Sequence, residues 1–175
     1  GLVYSQQTAW FVGNQVEDHA LGWYQALIEA RIPFEMVHDR LLDRAHLGQF
    51  KTLILPNIAA LSDAQCQQLR DFVTGGGSVI ATHETSLCDE WGVRRKNFGL
   101  ADLLGVKFNG RIDGPMHNSY LRLETDPAAG RRHPLLAGLE DAPRIINAVR
   151  RVEVEAAVAF PHPPLTLIPS YPDLP

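Results

Sequence analysis

The sequence is poor in cysteine, with only Cys66 and Cys88 among 175 residues. Small secreted domains that depend on disulfides carry more cysteines than this, so that class is excluded. No C-x-x-C pair occurs, which removes the usual sequence signal for structural zinc or a redox dithiol. We therefore expect two reduced thiols in a cytoplasmic protein that holds no metal.

Long apolar runs and an excess of basic residues are also missing. No apolar stretch reaches the ~18 residues that a membrane span requires. The 16 Lys and Arg residues are outnumbered by 20 Asp and Glu residues, which gives a net charge of −4. Since nucleic-acid-binding proteins generally carry a basic surface, we expect neither a nucleic acid nor a membrane as partner.

The common nucleotide and metal motifs are absent as well. No G-x-G-x-x-G follows the first predicted strand, and the glycines at 75–77 precede a strand and lack a G-K-[ST] ending. The segment HETSLC, which begins at His83, does not match H-E-x-x-H. The sequence therefore predicts no cofactor.

What is present is an alternation of short apolar runs and helical patterns. The run that begins at Ser62 opens with an S-x-x-Q capping box and is followed by three glycines that end the predicted helix. Strands alternating with helices indicate a parallel sheet covered on both faces, a doubly wound, flavodoxin-like fold in three α/β/α layers. Strands are predicted at residues 2–4, 34–37, 52–55 and 78–82, and helices at 17–31, 41–47, 62–74 and 98–104.

The remainder of the chain has a different pattern. Residues 119–124 and 150–155 alternate apolar and polar side chains, as half-exposed strands do. We therefore predict one domain over residues 1–175, with a parallel core at 1–105 and a β-rich extension at 106–175. The last 15 residues contain six of the 12 prolines. Together with the start at Gly1, this ending predicts a piece of a longer protein that is incomplete at its C-terminus.

Polar residues cluster where the predicted strands end. Ligands of open parallel sheets bind beyond the carboxyl ends of the strands, where loops are expected at residues 5–8, 56–58 and 83–89. In the third loop, His83 and Glu84 are candidates for acid–base chemistry, and Cys88 is a candidate nucleophile. Polar loops are common without catalysis, so no catalytic residue is assigned.

Several residues at this edge are candidates for contact with a ligand or with another subunit. Trp10 and Trp91 are placed in loops, and aromatic residues of this kind are enriched at interfaces. Sugar binding through these two side chains remains an alternative. The full set of candidates for a ligand or an interface is Trp10, Asn57, Glu84, Ser86, Asp89 and Trp91.

The segment LILPNIAALSDAQCQQLRDFVTGGGSVIATHETSLCDEWG, residues 53–92, resembles the class I glutamine-amidotransferase-like domain of bacterial glycoside hydrolases. It is similar to the β-galactosidase trimerisation domain of glycoside hydrolase family 42 and of related glycosidases. The resemblance extends through NSYLRL and HPLLAGL to PSYPDLP. It implies an upstream (β/α)8 barrel that carries the catalytic carboxylates, and a homo-oligomer, with a trimer favoured.

One departure from the amidotransferase pattern concerns activity. True amidotransferases place their cysteine in a G-x-C-x-G elbow after the strand that corresponds to residues 78–82, whereas this chain has Ala81, Thr82, His83, Glu84 and Thr85. The sequence therefore predicts a non-catalytic accessory domain of a β-galactosidase-like glycoside hydrolase. The alternative is a stand-alone small-molecule hydrolase, or a sugar-binding or sensor domain, that uses the loop from His83 to Asp89.

Overall fold

The computed structural model describes residues 1–13, 15–157 and 162–168, and the chain divides into two units, Gly1–Gly110 and Arg111–Pro175. Within the described residues, no helix is long and apolar enough to cross a membrane.

Unit 1 contains β1 (Leu2–Tyr4), α1 (Gln6–Phe11), α2 (Gln15–Glu29), β2 (Met36–His38), α3 (Arg44–Leu47), β3 (Thr52–Leu55), α4 (Asp63–Thr74), β4 (Ser78–Ala81) and α5 (Ala101–Leu104). Its strands form a four-stranded parallel sheet in the order β2-β1-β3-β4. Short apolar runs form these strands, as predicted from the sequence. The α/β architecture is therefore confirmed.

Alternate residues of the central strands pack into two separate apolar clusters. Leu2 and Ile54 are buried with Leu27 of α2. The neighbouring strand residues Val3, Leu53 and Leu55 are buried in the second cluster with Cys66 and Leu69 of α4. Successive side chains of a strand point to opposite faces, so the sheet is covered on both sides.

Helix α4 begins and ends at the predicted signals. The Ser62 hydroxyl accepts a hydrogen bond from the Gln65 amide, and Gln65 Oε1 accepts one from the Ser62 amide. This is a complete capping box. At the other end Gly75 caps the helix and Gly76 has φ +99°, a conformation that favours glycine.

The predictions at the N-terminal end of unit 1 need two corrections. Residues 5–8 do not form a loop, because α1 begins at Gln6 and the Ser5 hydroxyl accepts a hydrogen bond from the Thr8 amide. Trp10 consequently lies on α1 and not in a loop. Helix α2, in turn, exposes two apolar side chains at helical spacing, Tyr24 and Ile28.

Unit 2 consists mainly of antiparallel strands, in agreement with the predicted β-rich extension. The strands are β5 (Val106–Asp113), which begins before the unit boundary, β6 (Tyr120–Leu123), β7 (Thr125–Asp126), β8 (Arg131–Arg132), β9 (Arg144–Ile146), β10 (Arg151–Ala156) and β11 (Leu165–Ile168). A three-stranded sheet has the order β11-β6-β9. Two two-stranded sheets pair β5 with β10 and β7 with β8. A short 3-10 helix, Pro134–Leu136, follows β8. The predicted ending of the chain after residue 168 lies outside the described residues.

Candidate functional site

The candidate site lies where β3 and β4 end, because parallel strands bring their following loops to one edge of the sheet. Asn57 follows β3, and the segment from His83 to Asp89 follows β4. Three non-glycine residues here, Asn57, His83 and Ser86, have positive φ angles of 54°, 53° and 67°. Such conformations cost energy and require support from the surrounding structure.

Asn57 joins the two loops. Its buried side chain accepts a hydrogen bond from the Glu84 amide at 3.2 Å through Oδ1, which also lies 3.3 Å from His83 Nδ1. The Asn57 amide donates to the Thr82 hydroxyl at 3.1 Å. Asn57, His83 and Glu84, three residues singled out from the sequence, are thus brought together.

Two further residues complete this polar cluster. Arg94 Nη1 lies 2.9 Å from Glu84 Oε2, and the same guanidinium stacks over the Phe108 ring. From α2, His19 places its ring 5.3 Å from the His83 ring, measured between centroids. Burial lowers the pKa of His19, against the opposing influence of Asp18 and Glu84. Sequence reasoning missed His19 and Arg94, because each comes from an element distant from the loop in sequence.

Thr85 and Ser86 hold the loop against the sheet. The buried Thr85 hydroxyl accepts from the Ile58 amide and lies 2.7 Å from the Thr82 carbonyl oxygen. The Ser86 hydroxyl accepts from the Leu100 amide at 3.1 Å, and its side chain is fully buried. These contacts hold Ser86 in its positive-φ conformation, within a turn that connects the loop to the N-terminus of α5.

Cys88 lies inside the fold. It forms isolated β-bridges with Ala60 and Arg94, and only 4% of its surface is exposed. Burial raises the pKa of its thiol, and the negative charge of Glu84 acts in the same direction. Since the thiolate is the nucleophilic form, this environment disfavours nucleophilic chemistry at neutral pH.

Asp89 shapes the turn that carries Trp91. Its Oδ1 accepts hydrogen bonds from the amides of Trp91 and Val93 at 3.0 and 2.9 Å. The Asp89 amide also donates to the Val93 carbonyl oxygen, and the Asp89 carbonyl oxygen accepts a hydrogen bond from the Gly92 amide. The carboxylate is therefore used within the turn, and its position fixes Trp91 at the surface.

Trp10 and Trp91 are both exposed on unit 1, at 64% and 68%. Phe11 follows Trp10 on α1 and contacts Trp91 edge-to-face, with ring centroids 6.1 Å apart. We define the aromatic patch as the exposed residues Trp10, Phe11, Val12, Trp91 and Val93.

Unit 1 exposes a second apolar surface on α2. Residues at helical spacing on and just after this helix are exposed, although their types are typical of a core. We define the α2 stripe as Leu21, Tyr24, Ile28 and Ile32. Contiguous exposed apolar surfaces of this kind mark sites of protein contact.

The polar cluster consists of Asn57, His83, Glu84, Arg94 and His19. It has groups for hydrogen bonding and for binding a charge, but its carboxylate, that of Glu84, is paired with Arg94. In the described part of the chain, no group of three or more His, Cys, Asp or Glu residues is arranged to hold a metal ion.

Comparison with solved structures finds this fold in parts of larger β-galactosidases. The chain is similar to the β-galactosidase of Bifidobacterium adolescentis, at 25% identity and a TM-score of 0.58, over 74% of this chain and 63% of that one. It matches the β-galactosidase of Bacillus circulans sp. alkalophilus at 16% identity and a TM-score of 0.73, over 99% of this chain and 25% of that one. A β-galactosidase of the haloarchaeon Halorubrum lacusprofundi matches at 16% identity and a TM-score of 0.61, over 95% and 23%.

The chain thus spans from about a quarter to less than two thirds of the length of these proteins. The family model for the β-galactosidase trimerisation domain matches residues 1–118. This range contains the sheet of unit 1, the polar cluster, the aromatic patch and the α2 stripe. The resemblance inferred from residues 53–92 is confirmed, and the chain belongs to the β-galactosidase trimerisation domain family.

Proposed function

We propose that this chain is a non-catalytic assembly domain that joins three copies of a β-galactosidase-type glycoside hydrolase. The catalytic carboxylates belong to a barrel in the same protein, and the protein acts on galactosides in the cytoplasm. Family membership and the similarity to parts of larger β-galactosidases support this proposal. The sheet order β2-β1-β3-β4 also suits a doubly wound, flavodoxin-like core.

The observation that carries the proposal is the aromatic patch. Tryptophan is among the residues most enriched at interface hot spots, and the patch exposes two of them beside Phe11. Asp89 holds the Trp91 turn in place through two backbone hydrogen bonds. A rigid, pre-formed aromatic surface loses little conformational freedom on association.

A cyclic trimer requires two different surfaces on each copy. Its contacts are heterologous, since one surface of a subunit meets another surface of the next, whereas a two-fold dimer repeats a single surface. Unit 1 exposes two such surfaces, the aromatic patch and the α2 stripe. We assign them as the two sides of the trimer contact.

The polar cluster stabilises the loop that leads to the aromatic patch. Asn57, Glu84 and Arg94 link the loops after β3 and β4, and the same segment leads into the Trp91 turn. Ligand contact by Trp10, Asn57, Glu84, Ser86, Asp89 or Trp91 is a weaker proposal. Ser86 and Asp89 are engaged in holding backbone groups, and family membership does not favour a stand-alone hydrolase or sensor.

The test uses sedimentation velocity of the full-length protein. The variant Trp91→Ala should weaken assembly about 30-fold, as expected for an interface hot spot. Leu135→Ala is the control, because Leu135 is an 80%-exposed apolar residue of unit 2, outside both surfaces. A trimer unchanged by Trp91→Ala, or a monomeric wild-type protein, contradicts the proposal.

Mixing two variants tests the heterologous arrangement. Trp10→Ala/Trp91→Ala removes the aromatic patch, and Ile28→Asp disrupts the α2 stripe. Each variant alone should be monomeric, while an equimolar mixture should form heterodimers through the one intact pair of surfaces and no closed trimer. Self-association of Ile28→Asp through its intact patch contradicts the assignment of two distinct surfaces.

A further inference from the structure

Unit 2 contains a cavity of about 440 Å³ that lies outside residues 1–118. Its volume falls in the range of roughly 300–1,000 Å³ that is usual for small-ligand sites. The β7–β8 hairpin forms one wall, and residues that precede and begin β11 form another. The cavity is thus built within unit 2 from two stretches of chain, residues 124–134 and 162–166.

Glu124 is a fixed acceptor in this cavity. Its amide donates to the Pro164 carbonyl at 2.9 Å, and its Oε1 accepts a hydrogen bond from the Thr166 hydroxyl. Asp126, also in the lining, accepts from the amides of Ala128 and Ala129 through Oδ1. The Glu124 carboxylate is therefore positioned by the Thr166 hydroxyl and the Asp126 carboxylate by backbone amides.

His133 and Arg131 supply donors to the same cavity. His133 Nδ1 accepts from the Leu135 amide at 3.2 Å, so the neutral ring carries its proton on Nε2. The second guanidinium, that of Arg132, donates to the carbonyl oxygens of Leu139 and Glu140. Arg132 therefore holds the loop that follows the 3-10 helix, and it is not free to pair with an anion.

The lining is balanced in charge. Two carboxylates, Glu124 and Asp126, are matched in number by two guanidiniums, Arg131 and Arg132, and the remaining titratable groups are the imidazoles of His133 and His162. A strongly anionic or cationic ligand would leave one pair of these charges uncompensated in the cavity. Mixed donors and acceptors at zero net charge suit a neutral ligand with several hydroxyl groups.

Apolar contact comes from proline rings. Pro127, Pro134, Pro163 and Pro164 all line the cavity. Their rings are rigid, so they offer C–H surface without a cost in side-chain entropy. A pyranose has the matching character, because its hydroxyl groups lie around the edge of a ring that also presents C–H faces.

We propose that this cavity is a non-catalytic binding site for a neutral mono- or disaccharide. Glu124 and Asp126 accept hydrogen bonds from the sugar hydroxyls, and Arg131 and His133 donate to them. The site shares no residue with the surfaces assigned to assembly, since its residues belong to unit 2 and theirs to unit 1.

Hydrogen–deuterium exchange of the full-length protein locates binding without interference from a catalytic site elsewhere. We expect galactose, which has no glycosidic bond to hydrolyse, to protect segments 124–134 and 162–166. Glu124→Gln keeps the side-chain shape and a partner for Thr166, and Arg131→Gln changes an exposed residue. Each should raise the sugar concentration for half-protection about tenfold. Glu155→Gln, at an exposed position on β10, is the matched control.

The result that overturns the proposal is equally direct. Exchange in these segments that is unchanged by galactose, glucose and maltose overturns the proposal. Protection by inorganic sulfate or by L-serine, and not by the sugars, shows that the cavity binds charged ligands, which also overturns the proposal. Protection that is equal in wild type, Glu124→Gln and Arg131→Gln excludes the named contacts.

Discussion

Gly92 lies directly against Phe11. A Cβ atom at residue 92 would lie 2.7 Å from the Phe11 Cβ and 3.0 Å from the Phe11 carbonyl oxygen. The backbone at Gly92 also has φ +78°, which side chains rarely adopt. This approach brings the end of α1 against the turn that carries Trp91, and it sets the spacing of the aromatic patch.

Gly92→Ala should therefore destabilise the protein and disturb the patch. We expect a loss of about 2–4 kcal/mol in the free energy of unfolding, from backbone strain and from contact with Phe11. Urea unfolding measures this loss, and sedimentation velocity should show weaker assembly. Gly76→Ala is the control, since Gly76 has φ +99° but open space around its Cβ position. It should cost about 1–2 kcal/mol and leave assembly unchanged; equal effects of both variants would contradict this account.

Thr85→Val should destabilise unit 1 through a single hydroxyl group. Valine keeps the shape of threonine but leaves the buried amide of Ile58 without its acceptor. The expected cost is about 1–3 kcal/mol in the free energy of unfolding, again measured with urea. Thr85→Ser retains the hydroxyl and should preserve this hydrogen bond while losing one buried methyl group. A Thr85→Val protein as stable as wild type would show that water or another group serves the Ile58 amide.

Local signals predicted much of unit 1. Residues 52–55 form a strand, and Ser62 and Gln65 form the complete capping box. These features depend on neighbouring residues, which a sequence pattern records directly. Helix α1 was missed although Ser5 caps it, because it is only six residues long and its sequence has no clear apolar periodicity.

The site was harder to predict, since its contacts join distant segments. His83 and Glu84 were found because they follow a recognisable strand, but His19 and Arg94 reach them from other elements. Burial could not be read locally either. Cys88 occupies a polar stretch of sequence, yet two β-bridges place it inside the fold. Tyr24 and Ile28 likewise recur at helical spacing on α2, yet both are exposed.

The burial of His19 should make stability depend on pH. Burial lowers the pKa of His19 below its ordinary 6.5, so the folded protein binds fewer protons at this position than the unfolded chain does. The contribution of neutral His19 to the free energy of unfolding is therefore complete above pH 6.5. It falls as the pH drops through 6.5 towards the lowered pKa of the folded state. A single proton limits this slope to about 1.4 kcal/mol per pH unit.

His19→Gln should unfold in urea with a shallower loss of stability between pH 7.5 and 5.5. His117→Gln, at an exposed position in unit 2, should retain the slope of wild type. If His19→Gln also retains that slope, another group is responsible for the dependence on pH.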